Sequence, residues 1–320
     1  MGEPAPDRPL LKPWYRLSVD EERAVLRYGS SVLELDGAAV TRLLPRLLPL
    51  LDGTRTVDEI VDEIGEPARS AVEHAVGLLA AHRLLTERLP DGVDETVRTT
   101  LELLSATDPH DRSPTELAPT LGAARVRIVG SGATAVQVAD LLRASGLGAV
   151  EACAWDEQPH GDDALAIVAP GANEVPRVRD WNRLALGCGS PWLQVLPYDG
   201  LLAAVGPLFV PHQTGCHECY RIRRYANVSS LREAEAPPAR GSYPSAPAVD
   251  ALLAALTALT AVRSLALAEA SAAGMLLAVE LSPRLVCSRH VVYRVPRCPS
   301  CSRTATSGTP SPWSAANVAA

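Results

Sequence analysis

Four of the seven cysteines in this 320-residue chain fall in two C-x-x-C pairs. Cys216 and Cys219 sit in Gly215-Cys216-His217-Glu218-Cys219, and Cys298 and Cys301 sit in Arg297-Cys298-Pro299-Ser300-Cys301. Each pair presents two thiolates from one tight turn, and two such turns supply the four sulfurs of a tetrahedral structural zinc site with no open position. That chemistry holds structure and leaves nothing to activate water. The 78 residues between the pairs exceed the spacing of a small zinc finger, so the metal would staple two distant parts of one large domain. Disulfides are the competing use of paired cysteines. Cys153, Cys188 and Cys287 remain, an odd number that fits a reduced, cytoplasmic setting. Cys153 and Cys287 lie in strand-like patterns and read as core, while Cys188, between two glycines, is the least constrained thiol. His212 and His217 flank a completed thiolate set and read as loop residues.

A second chemistry-bearing stretch is Gly130-Ser131-Gly132-Ala133-Thr134-Ala135, a G-x-G-x-x-A run after the apolar segment Arg125–Val129 and before a helical pattern reaching about Ala144. Gly130, Gly132 and Ala135 in that context let a backbone approach a phosphate at a helix N-terminus. Asp156, at the end of the next strand pattern (149–155), stands where an acid would bind a ribose hydroxyl. A scaffold that keeps the fold without the nucleotide is the alternative.

The elements that position these residues suggest an α/β chain of two parts. After a Pro-rich, loose start (1–13), residues 14–19 alternate as a strand, and 24–27 with 31–35 read as a hairpin around Tyr28-Gly29-Ser30. Val40, Leu43, Leu44, Leu47 and Leu48 follow at helical spacing, with Pro45 and Pro49 placed to break the helix. Thr56 is positioned to cap a helix over Val57–Ile64 with Asp58 and Glu59 in its first turn. A third helix at about 67–83 puts Val72, Val76 and Leu79 on one face, and Leu84-Leu85-Thr86 closes a winged-helix-like module spanning 1–88. Residues 89–124 read as a linker around a helix at 93–104. From 125 to 302 the pattern is that of a doubly wound domain. Its strands fall at 125–129, 149–155, 164–168, 192–196, 275–281 and 285–295, with a core helix at 249–270. A solvated helix face is expected at 220–225, a mobile loop at 233–248, and a disordered tail at 303–320.

Composition limits the function. The net charge of −7, and a third helix with one arginine against one glutamate, argue against nucleic-acid binding. The N-terminus lacks an apolar signal core. The longest apolar run, Ala251–Val262, is too short to span a bilayer, so no membrane is expected. Basic residues are almost all arginine; Lys12 is the only lysine.

The hairpin before Leu35-Asp36, the D-G-x-x-T-x-x-E-I run from Asp52 to Ile60, and the helix ending in 79–85 resemble the PqqD-like recognition domain of peptide natural-product pathways. In that family a leader peptide adds as a strand to the sheet edge and packs on the third helix. The resemblance implies an edge at Val32, Leu33 and Leu35, and a groove at Val72, Ala75, Val76 and Leu79. The same positions also suit the module's own core. Residues 121–302, with the glycine run, Asp156, Gly206-Pro207-Leu208-Phe209-Val210-Pro211 and the late C-x-x-C pairs, resemble the ThiF-like relatives of ubiquitin-activating enzymes. The likeness is strongest to those of azoline-forming (thiazole/oxazole-modified microcin) pathways.

The whole chain thus resembles the ThiF-like partner of a YcaO-type cyclodehydratase. This implies a leader-peptide-binding scaffold without catalysis of its own, in a complex that can include a homodimer. The alternative is an ATP-dependent ThiF-type adenylyltransferase. Active members neutralise a triphosphate with lysine and arginines. Here the lone lysine lies outside this domain, an acidic stretch (157–163) follows Asp156, and no cysteine occurs between Cys219 and Cys287. ATP and thioester chemistry therefore lack their usual residues.

Overall fold

Alternation, capping and buried runs assemble into two compact units, residues 1–120 and 121–320. The computed structural model describes residues 6–12, 15–28, 31–110, 112–157, 164–226, 246–268, 270–281 and 284–302. Trp14, the turn at Gly29-Ser30, nearly all of the 233–248 loop and the 303–320 tail lie outside them.

In the first unit, β2 (Arg16–Val19), β3 (Arg23–Tyr28) and β4 (Ser31–Asp36) form an antiparallel sheet in the order β2-β3-β4. Helices α1 (Ala38–Leu47), α2 (Val57–Ile64) and α3 (Arg69–Ala81) follow. Their apolar faces meet those of the strands in one core containing Leu26, Leu44, Leu47, Ile60, Val61, Val72, Val76 and Leu79. Pro45 does not break α1, as its residue type suggested, but lies inside it. A proline costs an interior helix about 3 kcal/mol. Leu44 and Leu47, on either side of it, are fully buried and return about 1.5–3 kcal/mol each.

The D-G-x-x-T-x-x-E run is a local folding device. Asp52 Oδ1 accepts from the Thr54 N–H at 2.9 Å, and Gly53 takes a left-handed φ of +73° where an added Cβ would lie 2.5 Å from Arg88 Cβ. Thr56 Oγ1 accepts from the Glu59 N–H at 3.2 Å while Glu59 accepts from the Thr56 N–H at 2.7 Å, a reciprocal cap. The expected loose start holds a strand instead. β1 (Pro9–Leu11) pairs with β5 (Leu85–Glu87), and Leu11 N–H also donates to Leu51 O at 2.9 Å. Leu10 and Leu11 were the apolar signal for it amid prolines. Beyond β5 come α4 (Glu95–Thr107), near the expected 93–104 helix, and α5 (Pro114–Ala123).

The second unit is built on a mixed seven-stranded sheet. Strands β6 (Arg125–Val129), β7 (Ala149–Cys153), β8 (Leu165–Val168) and β9 (Trp192–Leu196) are parallel. Antiparallel β10 (Leu202–Phe209), β11 (Met275–Glu280) and β12 (Val286–Val291) complete the order β12-β11-β10-β9-β8-β6-β7. β8 and β9 are buried throughout, as expected of parallel strands covered on both faces. From β6 the chain crosses outward to β7 through α6 (Ala133–Ala144); from β8 it crosses the other way to β9 through α7 (Val178–Cys188). Right-handed crossovers in opposite directions put α6 and α7 on opposite faces. Trp181 and Ala185 of α7 bury against Val129, Val168 and Trp192.

The core helix expected at 249–270 is α9 (Pro247–Ala266), packed against α6 and β10. Its Asp250 accepts from the Thr134 hydroxyl at 3.0 Å in a buried contact. Among the described residues α9 is also the one helix long and apolar enough to cross a membrane; Leu253, Ala254, Thr257, Ala258, Ala261 and Val262 face the protein interior. The short α8 (His217–Arg224) buries His217, Glu218, Cys219 and Tyr220; of the face expected to be solvated at 220–225, Tyr220 alone is buried and 221–225 are half-buried or exposed. The terminal strand stops at Val291, short of the expected 295, because the chain must turn to place Cys298.

Removing the Thr56 cap (Thr56→Ala) should cost about 1 kcal/mol, and Leu79→Ala about 2–5 kcal/mol, read as shifts of the urea midpoint.

Candidate functional site

The two C-x-x-C pairs converge. Cys216 caps α8 and Cys219 lies in its first turn, while Cys298 and Cys301 come from the turn after β12. The four sulfurs lie within 4.8 Å of one another, and all four residues are buried. Cys216–Cys219, Cys216–Cys298 and Cys219–Cys301 are 3.9, 3.7 and 3.5 Å apart. Sulfurs placed tetrahedrally at about 2.3 Å from one ion stand about 3.8 Å apart, whereas a disulfide would need about 2.05 Å. The cluster therefore fits a metal ion and not a pair of disulfides.

Gly215 closes against the segment just past β12, where an added Cβ would sit 3.0 Å from Val292 O. The Val295 N–H donates to Cys219 Sγ at 3.3 Å. Cys219 is drawn down to about 4, first by the hydrogen bond that the Cys216 thiol donates. Cys216 rises for the reciprocal reason, and burial first pushes Cys301 up to about 12. Further negative charge in this buried space needs a cation, so metal binding would release protons.

His217 is not the loop residue its position suggested. It begins α8, fully buried, with Nδ1 2.5 Å from Gln194 Oε1 and its backbone N–H donating to Asn182 Oδ1 at 3.0 Å. Gln194 Nε2 in turn donates to Gly206 O at 3.2 Å. Burial holds the His217 imidazole neutral, down to about 4. The network ties the first knuckle to α7, β9 and β10. Cys153 is buried as expected, but Cys287, read as core, is exposed on β12; Cys188 is exposed at the end of α7.

At the glycine run, β6 and β8 part to opposite crossovers, the place where open α/β sheets bind ligands. The Ser131 and Gly171 donors at that opening are already bonded. The Glu174 carboxylate accepts from the Ser131 N–H and hydroxyl at 3.0 Å each, from the Gly171 N–H at 2.9 Å and from Trp155 Nε1 at 3.2 Å. Arg177 lies over the Trp155 ring, 5.3 Å from its centroid. Burial alone would raise the Glu174 carboxyl, but the Gly171 and Ser131 donors outweigh it and lower it overall.

Gly130 has a structural duty of its own: at φ +119°, an added Cβ would lie 2.1 Å from Ala169 O. Gly132 packs on Gly171, and Ala135 is buried in α6. Asp156 is exposed in the turn after β7. Sequence reasoning missed Glu174; its trace was the Gly171-x-x-Glu174 spacing, at which a carboxylate three residues into a short helix accepts from the N–H of the residue that starts it.

In the first unit, β4 is a terminal strand with no partner on its outer side among the described residues. Val32 stands exposed there, and Leu33 and Leu35 are half-buried. Val72, Val76 and Leu79 are in the core, with Ala75 half-buried beside them.

No family model and no curated protein matches this chain by sequence. Solved structures match by fold. A heterocyclase in complex with substrate and cofactor, and the heterocyclase TruD, each superpose with a TM-score of 0.67 at 22% identity. They cover 92% and 93% of this chain, which spans only 39% and 43% of theirs. E. coli MccB bound to AMPCPP and MccA gives a TM-score of 0.61 at 16% identity, over 92% of this chain and 99% of that one. At these identities the likeness is one of fold.

Two outcomes are expected here. Purified protein should carry one divalent ion per chain by elemental analysis, lost in Cys219→Ser together with stability and retained in Cys188→Ser. Glu174→Ala should lose about 1–3 kcal/mol, because the loop donors go unpaired, and should change Trp155 fluorescence; Glu174→Gln should lose less.

Proposed function

We propose that this chain binds the leader of a ribosomally made precursor peptide and delivers it to a separate YcaO-type cyclodehydratase for azoline formation. In this reading residues 1–88 are a winged-helix-like, PqqD-type recognition module, 89–124 join it to the body, and 125–302 are a ThiF-like body whose clamp holds zinc. The leader adds as a strand along β4, with Val32, Leu33 and Leu35 at the pairing edge and Ala75 as the accessible point on α3. The reading rests above all on the fold shared with heterocyclases over more than nine-tenths of this chain, alongside MccB, whose structures hold the peptide MccA. It assigns the rest of a heterocyclase to a partner chain. Delivery of this kind raises the effective concentration of the core peptide without chemistry in the carrier.

A ThiF-type adenylyltransferase is the second reading, favoured by the near-complete coverage of MccB. Against it stand the single lysine, outside this domain, and a glycine run in which the Ser131 N–H and hydroxyl serve Glu174.

Titrating the labelled precursor encoded beside the gene should give leader-dependent binding, weakened about tenfold or more by Val32→Asp or Ala75→Arg, with no carboxylate-dependent pyrophosphate exchange. Unchanged binding by both variants, or measurable exchange, would overturn the scaffold reading.

A further inference from the structure

The C-terminal stretch departs from the charge of the rest of the chain. The net charge is −7, yet no aspartate or glutamate follows Glu280. Arg284, Arg289, His290, Arg294 and Arg297 are all exposed. Arg294 donates to Thr214 O at 3.3 Å. Arg284, Arg289 and Arg297 have no carboxylate partner among the described residues.

These charges surround β12, the terminal strand of the large sheet, paired with β11 from Met275–Val291 to Glu280–Val286. Its outer side has no partner strand among the described residues, so its edge offers main-chain donors and acceptors. Both of its faces are open. Leu285 and Tyr293 are 66% exposed, Val291 48% and Val286 45%. β7, at the opposite end of the sheet, by contrast buries Val150 and Cys153. Alternation puts Cys287, Arg289 and Val291 on one face. Register sets Arg289 beside Leu277 and Val291 beside Met275, both half-buried, so apolar surface crosses two strands around one cation.

We propose that β12 docks an acidic, extended segment of another polypeptide, added as a strand that sets one carboxylate against Arg289 between apolar side chains on Leu285 and Val291 of the same face, and another against Arg284. Charges placed only to guard an edge would not leave four large apolar side chains open beside them. A second copy is disfavoured: antiparallel self-pairing of β12 brings arginines together with no acid in the strand to offset them. The patch lies in the second unit and does not depend on leader binding at β4.

Cys287 lies on the docking face and Cys188 outside it, so alkylation of both thiols in the full chain, followed by mass spectrometry, reads the site with an internal control. The probes are a short extended peptide with valines spaced to meet Leu285 and Val291 and glutamates spaced to meet Arg284 and Arg289, its counterpart with lysines in place of the glutamates, and an oligothymidine. The acidic peptide, at about ten times its dissociation constant, should slow Cys287 alkylation about tenfold and leave Cys188 unchanged. In the Arg284→Glu, Arg289→Glu double variant the protection should pass to the lysine peptide. Equal protection by both peptides, protection by the oligonucleotide alone, protection that grows with protein concentration without peptide, or no protection by any probe would each overturn the proposal.

Discussion

Four thiols held within 4.8 Å of one another in a buried space are the constraint on which the second unit depends. Four such groups cannot all ionise there unaided, so the cluster is built to hold a cation among its sulfurs. In return the clamp fixes the start of α8 against the turn after β12, two segments far apart in sequence. That anchoring lets an eight-residue helix, too short to be stable alone, carry His217 into the core. From there the hydrogen bonds through Gln194 and Asn182 reach β9, β10 and α7. A closed four-sulfur set gives this region rigidity and no Lewis-acid chemistry.

The same economy governs the glycine run. A strand, a tight turn and a helix N-terminus present donors that in nucleotide-binding proteins meet phosphate. Here one carboxylate of the chain itself takes the Ser131 and Gly171 donors and the Trp155 indole. An incoming anion would have to displace Glu174 and compete with its negative charge. The topology of a ligand site is thus kept while the Ser131, Gly171 and Trp155 donors hold together the segments that follow β6, β8 and β7.

Much of this was legible in the sequence, for identifiable reasons. Paired cysteines at x-x spacing announce a metal site whatever lies between them. Apolar runs such as Leu165–Val168 announce buried strands, and Thr56 with Glu59 announces a cap. What escaped depends on partners distant in sequence or on packing. Glu174 lies 43 positions from Ser131. The meeting of His217 with Gln194 is set by sheet order, which local pattern does not encode. Pro45 stays in a helix because two flanking leucines outweigh its cost. Cys287 sits in a strand pattern, but the strand is terminal, so its side chain is exposed. The residues expected to bind peptide show the limit most clearly: the spacing that marks Val72, Val76 and Leu79 as one face cannot say whether that face meets a ligand or the core.

Amide hydrogen exchange with and without the precursor peptide tests the central claim most directly. The account predicts slowed exchange in residues 31–36, where a leader strand would pair, with residues 130–135 unchanged whether or not ATP is added. Unaltered exchange at 31–36 with saturating precursor, or protection of 130–135 by ATP, would contradict it.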